Sequence, residues 1–229
     1  MIRLFITADC SNASSVMLDE KQSHYLKHVM RQNDGDEILV FNGRDGEWRG
    51  TLAFSKKNAV VTTHTQTRTQ INEGQLSLIF APIKRGHGDM TIEKASELGA
   101  SALYPSMTGH VVVSRMPTDR YEAIAMEAAE QCERLSVPKI HPPEKLDGFL
   151  KNWNPNKHIL LCAESGAATP IASALASLNV PGLAVMVGPE GGFSENEFIK
   201  LRALPFITPV TLGPRILRAD TAAISALSI

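Results

Sequence analysis

Two glycine-bearing turns near the C-terminus, each directly after a short apolar run, offer the first chemistry: LAVMVGPEGGFSENE at 183–197 and PVTLGPRILRADTAA at 209–223. The run Leu183 to Val187 reads as a buried strand, Gly188 to Gly192 forces a turn, and Ser194 with Glu197 makes a capping box that starts a helix. Gly191 and Gly192 carry no side chain, so main-chain N–H and C=O groups there can approach a small molecule, as at the strand ends of open α/β sheets. The chain contains no GxxxxGK[ST] and no GxGxxG, which removes the phosphate-cradling nucleotide loop and the dinucleotide fold. A carboxylate at Glu190 would repel a pyrophosphate and suits a ligand that is cationic or rich in hydroxyls. A strand-to-helix turn with glycine for steric reasons accounts for one such loop, and two in succession weigh toward a held ligand.

Charged side chains gather at two other places. Over 118–136, Tyr121, Ile124, Ala125, Ala128, Cys132 and Leu135 recur at helical spacing, while Glu127, Glu130, Gln131 and Arg134 share much of the other side, and Pro138 ends the helix. Glu130 and Arg134 stand at i, i+4, which reads as a solvated ion pair worth a few tenths of a kcal/mol or as a substrate or subunit face. The helix DMTIEKASELGA has Asp89 as its expected N-cap and Gly99 as its stop. Lys84, Arg85 and His87 precede it, a basic loop that can hold phosphate, though such clusters are more often surface charge. His24 and His28 have the spacing of a metal pair on one helix face, but no third ligand completes a site and no metal is expected.

The elements that must position these groups fall into two domains, 1–70 and 75–229, separated by the polar stretch QTRTQINEGQ. Upstream, after a short helix around SHYLKHVMR, the runs EILVF, EWRGTLAF and AVVTTHT are divided by NGRDG and SKKN, the turn chemistry of a small barrel or meander. Downstream, the strand candidates SLIFAPI, SALYPSM, HILLCAE, LAVMVG and PVTLG alternate with helices near 89–99, 118–136, 168–178, 194–203 and 219–228. That alternation predicts an α/β domain with a mainly parallel sheet.

Composition sets outer limits. With 229 residues, 43% of them hydrophobic, the chain can bury a real core. Its apolar runs fall far below the roughly 18 residues of a membrane span, and Asp9 comes too early for a secretory signal, so a cytoplasmic protein without membrane attachment is expected. Cys10, Cys132 and Cys162 are odd in number and widely spaced, which fits reduced thiols. A net charge of −1 gives no overall pull toward nucleic acid, so RNA binding would need a local basic face.

The stretches HYLKHVMR, DGDEILVFNGRDGEW, IKRGHGDMTIEKASELGA, EQCERLSVPKI, VGPEGGFSENE and LGPRILRADTAA, in that order along nearly the whole chain, resemble the ribosomal RNA small subunit methyltransferase E family. The resemblance implies an N-terminal PUA-like β-barrel and a C-terminal SPOUT domain with a deep trefoil knot. It also implies S-adenosylmethionine as cofactor, a homodimer, and methylation of N3 of a uridine in the decoding region of 16S rRNA in the small ribosomal subunit. Sequence physics alone predicts an ordinary open sheet, since threaded chains are rare.

In such a knot the two glycine loops converge with a third strand-end loop, here LCAESG at 161–166. The resemblance therefore points to Leu161, Cys162, Ala163, Gly188, Pro189, Glu190, Gly192, Leu212, Gly213, Ile216 and Leu217 around the cofactor. For the reaction, Arg218 or Arg134 is expected to stabilise charge on the uracil carbonyls, and Glu130 to accept the N3 proton. RNA contacts are expected from Arg3, Lys27, Arg31, Arg44 and Arg49, with Lys84, Arg85 and Arg115 from the second domain. Where the family usually reads LRTET this chain reads LRADT, so Ala219 replaces a hydroxyl residue and Asp220 is one methylene shorter, though still able to cap the last helix. A knotted methyltransferase acting elsewhere on RNA and a non-catalytic RNA-binding module are the rival readings.

Overall fold

Alternating burial and tight turns shape the N-terminal sheet. The structure, a computed structural model, describes residues 1–55, 58–83, 85–111, 116–163 and 168–229, with Arg85 by its backbone only. Its first elements are β1 (Arg3–Phe5), β2 (Ser15–Met17), α1 (Glu20–His24), a π-helical continuation at Tyr25–Val29, β3 (Glu37–Phe41), β4 (Glu47–Phe54) and β5 (Ala59–Arg68). The sheet runs β1-β3-β4-β5-β2, with β1 parallel to β3 and the other pairs antiparallel. Ile38, Val40, Leu52 and Val61 point inward to meet Leu4, Leu18 and Leu26 in one apolar core. In NGRDG, Gly46 takes φ 77°, and a Cβ there would strike the Arg68 carbonyl, so only glycine closes this hairpin. The capping box of α1 is Asp19 with Gln22.

Contacts group this unit, Met1–Asn72, with a segment from much later in the chain, Ala129–Val137. Arg3 explains much of that grouping. Its guanidinium donates to the carbonyls of Ala129 (3.0 Å), Glu130 (3.1 Å) and Arg134 (2.8 Å), and its Nε to Glu47 Oε2 at 2.6 Å. It also lies 4.3 Å from the centre of the Phe41 ring.

The second unit, Glu73–Ala128 with Pro138–Ile229, alternates strands and helices. In order these are β6 (Leu76–Phe80), α2 (Arg85–Glu97), β7 (Ala102–Met107), α3 (Thr118–Gln131), β8 (Lys139–Ile140), β9 (Glu144–Lys145) and α4 (Leu146–Asn152). Then follow β10 (Lys157–Cys162), β11 (Thr169–Pro170), α5 (Ile171–Ser177), β12 (Gly182–Val187), α6 (Glu195–Arg202), β13 (Ile207–Thr211) and α7 (Ala219–Leu227). The sheet order is β11-β13-β10-β12-β6-β7-β8 with every pairing parallel, and short β9 adds parallel to β7. Ile79, Ile159, Leu161, Ala184 and Met186 supply the strand side of a core that Phe149, Trp153 and Leu201 close from the helices. Among the described residues no helix is long and apolar enough to cross a membrane, and no cluster of three or more His, Cys, Asp or Glu side chains could hold a metal ion.

Three helix boundaries depart from the sequence reading. The stretch 118–136 is helical only to Gln131: Glu133 takes φ 61° and the Arg134 N–H turns back to the Ala129 carbonyl, so the helix closes before Pro138 and Arg134 lies beyond it. The Glu130–Arg134 spacing is thus not a helical i, i+4 pair, and Arg134 is buried rather than solvated. The helix expected to start at Asp89 starts at Arg85, which places Asp89 inside it, where its carboxylate takes both prongs of Arg120 at 2.9 and 2.6 Å. The N-cap of α7 is Arg218, without a side-chain cap bond. Asp220 lies two residues further on and accepts the Thr221 N–H at 2.8 Å.

Candidate cofactor site

Three neighbouring parallel strands, β12, β10 and β13, stand in nearly equal register: Leu161 is level with Met186, and Cys162 with Val210. Their C-terminal ends therefore open at one edge, the place where open α/β sheets hold ligands. A cavity of about 400 Å³ lies there, within the size range of small-molecule sites. Its walls are Cys162 and Ala163 after β10, Gly188, Pro189 and Gly192 after β12, and Leu212, Gly213, Ile216 and Leu217 after β13.

The glycines explain how the walls are made. Gly192 and Gly213 hold φ 68° and 117°, backbone that L side chains rarely adopt, and no atom lies within 4 Å of where their Cβ would stand. Gly188 is glycine for a different reason, because a Cβ there would come 2.8 Å from the ring of Phe193. The loop after β12 is held from both sides. The Ser194 hydroxyl caps α6, the Glu197 carboxylate returns to the Ser194 N–H at 2.9 Å, and its other oxygen accepts Gly109 N–H at 2.8 Å. His110 donates from Nδ1 to the carbonyls of Gly191 (3.0 Å) and Gly192 (3.2 Å). Burial works to raise the Glu197 pKa, but the hydrogen bonds from Ser194 and Gly109 outweigh it and hold the carboxyl below its ordinary value.

The wall carries few charged groups. Among the described lining residues Glu195 and Arg215 give one charge of each sign, Thr211 a hydroxyl and Cys162 a thiol, and the rest are glycines and apolar residues. Burial pushes the Cys162 thiol up to about 12, so it stays neutral and is a poor nucleophile toward an activated methyl group. An anionic thiolate at that place would be a competing methyl acceptor.

Two residues expected at the cofactor lie off the cavity wall. Leu161 is fully buried in the core, because strand alternation that turns Cys162 to the cavity turns its neighbour away, and Glu190 is exposed at the turn; neither lines the cavity. Sequence reasoning missed Phe193, Arg215 and the α7 residues Ala219 and Ala222, which line it. The i, i+3 pair of small residues at the start of the last helix was the available signal for the latter two.

The residues expected in the reaction and at RNA lie as follows. Arg218 is exposed at the N-cap of α7, between the lining residues Leu217 and Ala219. Glu130 and Arg134 belong to the first unit, where Glu130 Oε1 accepts the Phe5 N–H at 2.8 Å and Arg134 Nη2 donates to Ser136 Oγ at 3.3 Å. Arg3, expected at RNA, is 8% exposed, with an ion pair and three carbonyls as partners inside the protein. Lys27 and Arg31 are exposed, with the Lys27 ammonium 5.4 Å from the Phe54 ring centre. Arg44 is exposed and paired with Asp9 at 2.8 Å, and half-buried Arg49 stands 4.0 Å from Glu37. Lys84, Arg115 and the side chain of Arg85 lie outside the described residues.

Known proteins match this architecture along its length. An RNA methyltransferase domain family matches residues 70–229, and an RNA methyltransferase PUA domain family matches 18–63. Ribosomal RNA small subunit methyltransferase E from Rickettsia conorii is 30% identical over 99% of this chain and 93% of its own. The protein of the same name from Synechocystis is 33% identical over 99% of this chain and 76% of its own. The crystal structure of a ribosomal RNA small subunit methyltransferase E from Neisseria gonorrhoeae, bound to S-adenosylmethionine, superimposes with a TM-score of 0.89 at 26% identity, covering 100% of this chain and 95% of that one. A Legionella pneumophila protein solved with its bound cofactor SAM gives a TM-score of 0.87 at 26% identity, over 99% and 95% of the two chains.

Proposed function

We propose that this chain, which belongs to the ribosomal RNA small subunit methyltransferase E family, uses S-adenosylmethionine to methylate N3 of a uridine in the decoding region of 16S rRNA. The observation that carries the reading is the convergence of three strand ends on one backbone-walled cavity with the two positive-φ glycines. That cradle accepts a flat ring and a ribose without a phosphate cage. The bound cofactor supplies the activated methyl group, which leaves the protein three tasks: placement, exposure of the base edge, and removal of the imide proton.

Arg218 heads the helix that forms one wall of the cavity, and it is the arginine we assign to the charge that spreads onto the uracil carbonyls. Glu130 is assigned instead to holding β1, since its Oε1 is engaged by Phe5. RNA is gripped in part by cations of the N-terminal unit, exposed Lys27, Arg31 and Arg44 and half-buried Arg49, and binding to small subunits weakens steeply with salt. A homodimer in the cytoplasm, with the C-terminal chain threaded as a trefoil knot, completes the reading.

The test is mass spectrometry of 16S rRNA from cells with and without the gene, followed by in vitro methylation of the deficient small subunits with labelled cofactor. Loss of one N3-methyluridine, restored by the protein, is the expected result. An unchanged rRNA, or a change at a ribose or another base, overturns it. Absence of cofactor binding by calorimetry would leave an RNA-binding module.

A further inference from the structure

The stretch KIHPPEKLDGFLKNWNPNK at 139–157 supplies most of the wall of a second cavity in the second unit. This cavity, about 410 Å³ in volume, is within the size range of small-molecule sites and shares no lining residue with the cofactor cavity. The His141 N–H donates to the Leu103 carbonyl at 2.9 Å, which seats the imidazole against Tyr104 of β7, with ring centres 4.1 Å and planes 15° apart. Phe149 and Trp153 reach the Tyr104 ring from the end of α4, at 5.6 and 5.5 Å. All four rings line the cavity; Phe149 and Trp153 are buried, whereas Tyr104 and His141 are half-buried.

Polar groups of both kinds stand on the same wall. Asn152 gives an amide hydrogen to Glu144 Oε1 at 3.1 Å, and Asn154 Oδ1 accepts the Asn156 N–H at 3.0 Å. Among the described residues the Tyr104 hydroxyl, the Asn152 amide oxygen, the Asn154 amide nitrogen and the Lys157 ammonium have no hydrogen-bond partner. Donors and acceptors are thus left over beside a ring cluster, the combination that an unpaired nucleobase needs for its face and its edge. The surroundings favour a phosphate-bearing ligand: Lys139, Lys145, Lys151 and Lys157 punctuate the stretch, and of its two acids Asp147 is paired with Lys200 at 3.1 Å. A cationic guest among the rings is disfavoured by the same lysines. Burial first, then the charges of Lys139 and Lys157, hold the His141 pKa below its ordinary value, so the imidazole is a neutral platform.

We infer that this cavity is a second RNA site on the methyltransferase unit, in which an unpaired nucleobase stacks on the rings around His141 and Tyr104 while Asn152, Asn154 and Lys157 meet its polar edge and its phosphate. Stacking of this kind tolerates any base, since each has a π-face. The chain runs on from Tyr104 to Gly109, at most about 18 Å away, where Glu197 holds the Gly109 N–H and His110 bonds the Gly191 carbonyl of the cofactor loop. One RNA strand can therefore span both cavities. The inference goes beyond the proposed reaction: it needs only that the chain binds RNA, and no particular methylated atom.

The chain has two tryptophans, Trp48 in the first unit and Trp153 in the cavity wall, so Trp48→Phe leaves Trp153 as the sole reporter. That protein is titrated with single-stranded decaadenylate RNA, with an abasic ribose-phosphate strand of equal length, and with adenosine monophosphate. Decaadenylate is expected to quench Trp153 saturably and the abasic strand not at all. The monophosphate should need about tenfold or more higher concentration, because it lacks the phosphate contacts of the strand. By fluorescence anisotropy, His141→Ala is expected to raise the Kd for decaadenylate about 5–150-fold, the range for losing one base stack. His141→Phe, which keeps a ring, restores binding. Lys157→Gln weakens binding and lowers its salt slope by about one, whereas His141→Ala leaves that slope unchanged. Cofactor affinity by calorimetry and melting temperature stay at wild-type values in all three variants.

Absence of quenching by decaadenylate, or equal quenching by the abasic strand, overturns the inference. Equal affinity for the monophosphate overturns the RNA assignment and leaves a site for a free nucleotide. A wild-type Kd in His141→Ala also sinks it. So does a loss of binding that comes with a lowered melting temperature and that His141→Phe does not restore, which would make the Tyr104–His141 stack a packing contact.

Discussion

Glu197 holds Gly109: one carboxylate oxygen completes the capping box of α6 while the other accepts the glycine N–H at 2.8 Å, so two loops after different strands are fixed by one side chain. Ser194→Ala removes the cap and is expected to cost about 1 kcal/mol. Because the folded-state pKa of Glu197 is lowered from 4.5, its contribution is present above that unfolded value and is lost as pH falls through the depressed folded one. Urea unfolding at a series of acid pH values should show a shallower acid loss in Glu197→Gln than in the wild type.

Gly188, Gly192 and Gly213 shape the cavity by different means and should fail by different means. Alanine at Gly192 or Gly213 forces an L residue into φ 68° or 117°, a strain of about 1–3 kcal/mol, while alanine at Gly188 displaces the Phe193 ring. Each is expected to weaken S-adenosylmethionine binding by about tenfold or more, the equivalent of ~1.4 kcal/mol. Titration calorimetry measures this directly, and unchanged affinity in all three would remove the loops from the site.

Arg3→Ala strands Glu47 in the core of the N-terminal unit, where among the described residues the carboxylate keeps Thr67 at 2.8 Å and Arg68 at 3.9 Å. Breaking one side of a buried pair costs about 3–5 kcal/mol. Arg3→Lys should recover little of it, because an ammonium cannot spread over one carboxylate and three carbonyls as a guanidinium does. Denaturant midpoints of the three proteins check the order.

Cys162 and Cys10 are pushed up to about 12 and about 11, in both cases chiefly by burial. Both should resist iodoacetamide at about pH 7, where the thiolate is scarce, and react as the pH rises. Peptide mass spectrometry gives the label at each site, and bound cofactor should protect Cys162, which lines the cavity, and not Cys10.

Much of this architecture is legible in the chain. The runs EILVF and EWRGTLAF, bounded by turn residues, place β3 and β4 at their observed residues, and Ser194 with Glu197 announces the start of α6. The duty of Arg3 is not legible, because three of its partners are backbone carbonyls more than a hundred residues away, and carbonyls leave no mark in residue type. Leu161 and Cys162 differ by strand parity, which a run of consecutive apolar residues hides. LDGFLKN is too short for a helical period to stand out, so α4 went unread. The pairing of His87 with Asp220 joins residues 133 apart, and only the packing of α7 on α2 brings them together.

The return of Ala129–Val137 to the N-terminal unit makes that unit impossible to lift out as one stretch of chain. A polypeptide ending at Asn72 would leave the Arg3 guanidinium buried without the carbonyls of Ala129, Glu130 and Arg134 and the Phe5 N–H without the Glu130 carboxylate. A gene fusion that borrowed only the first segment would inherit a weakened RNA reader. The two halves of such a protein are therefore bound to travel through evolution as a single piece.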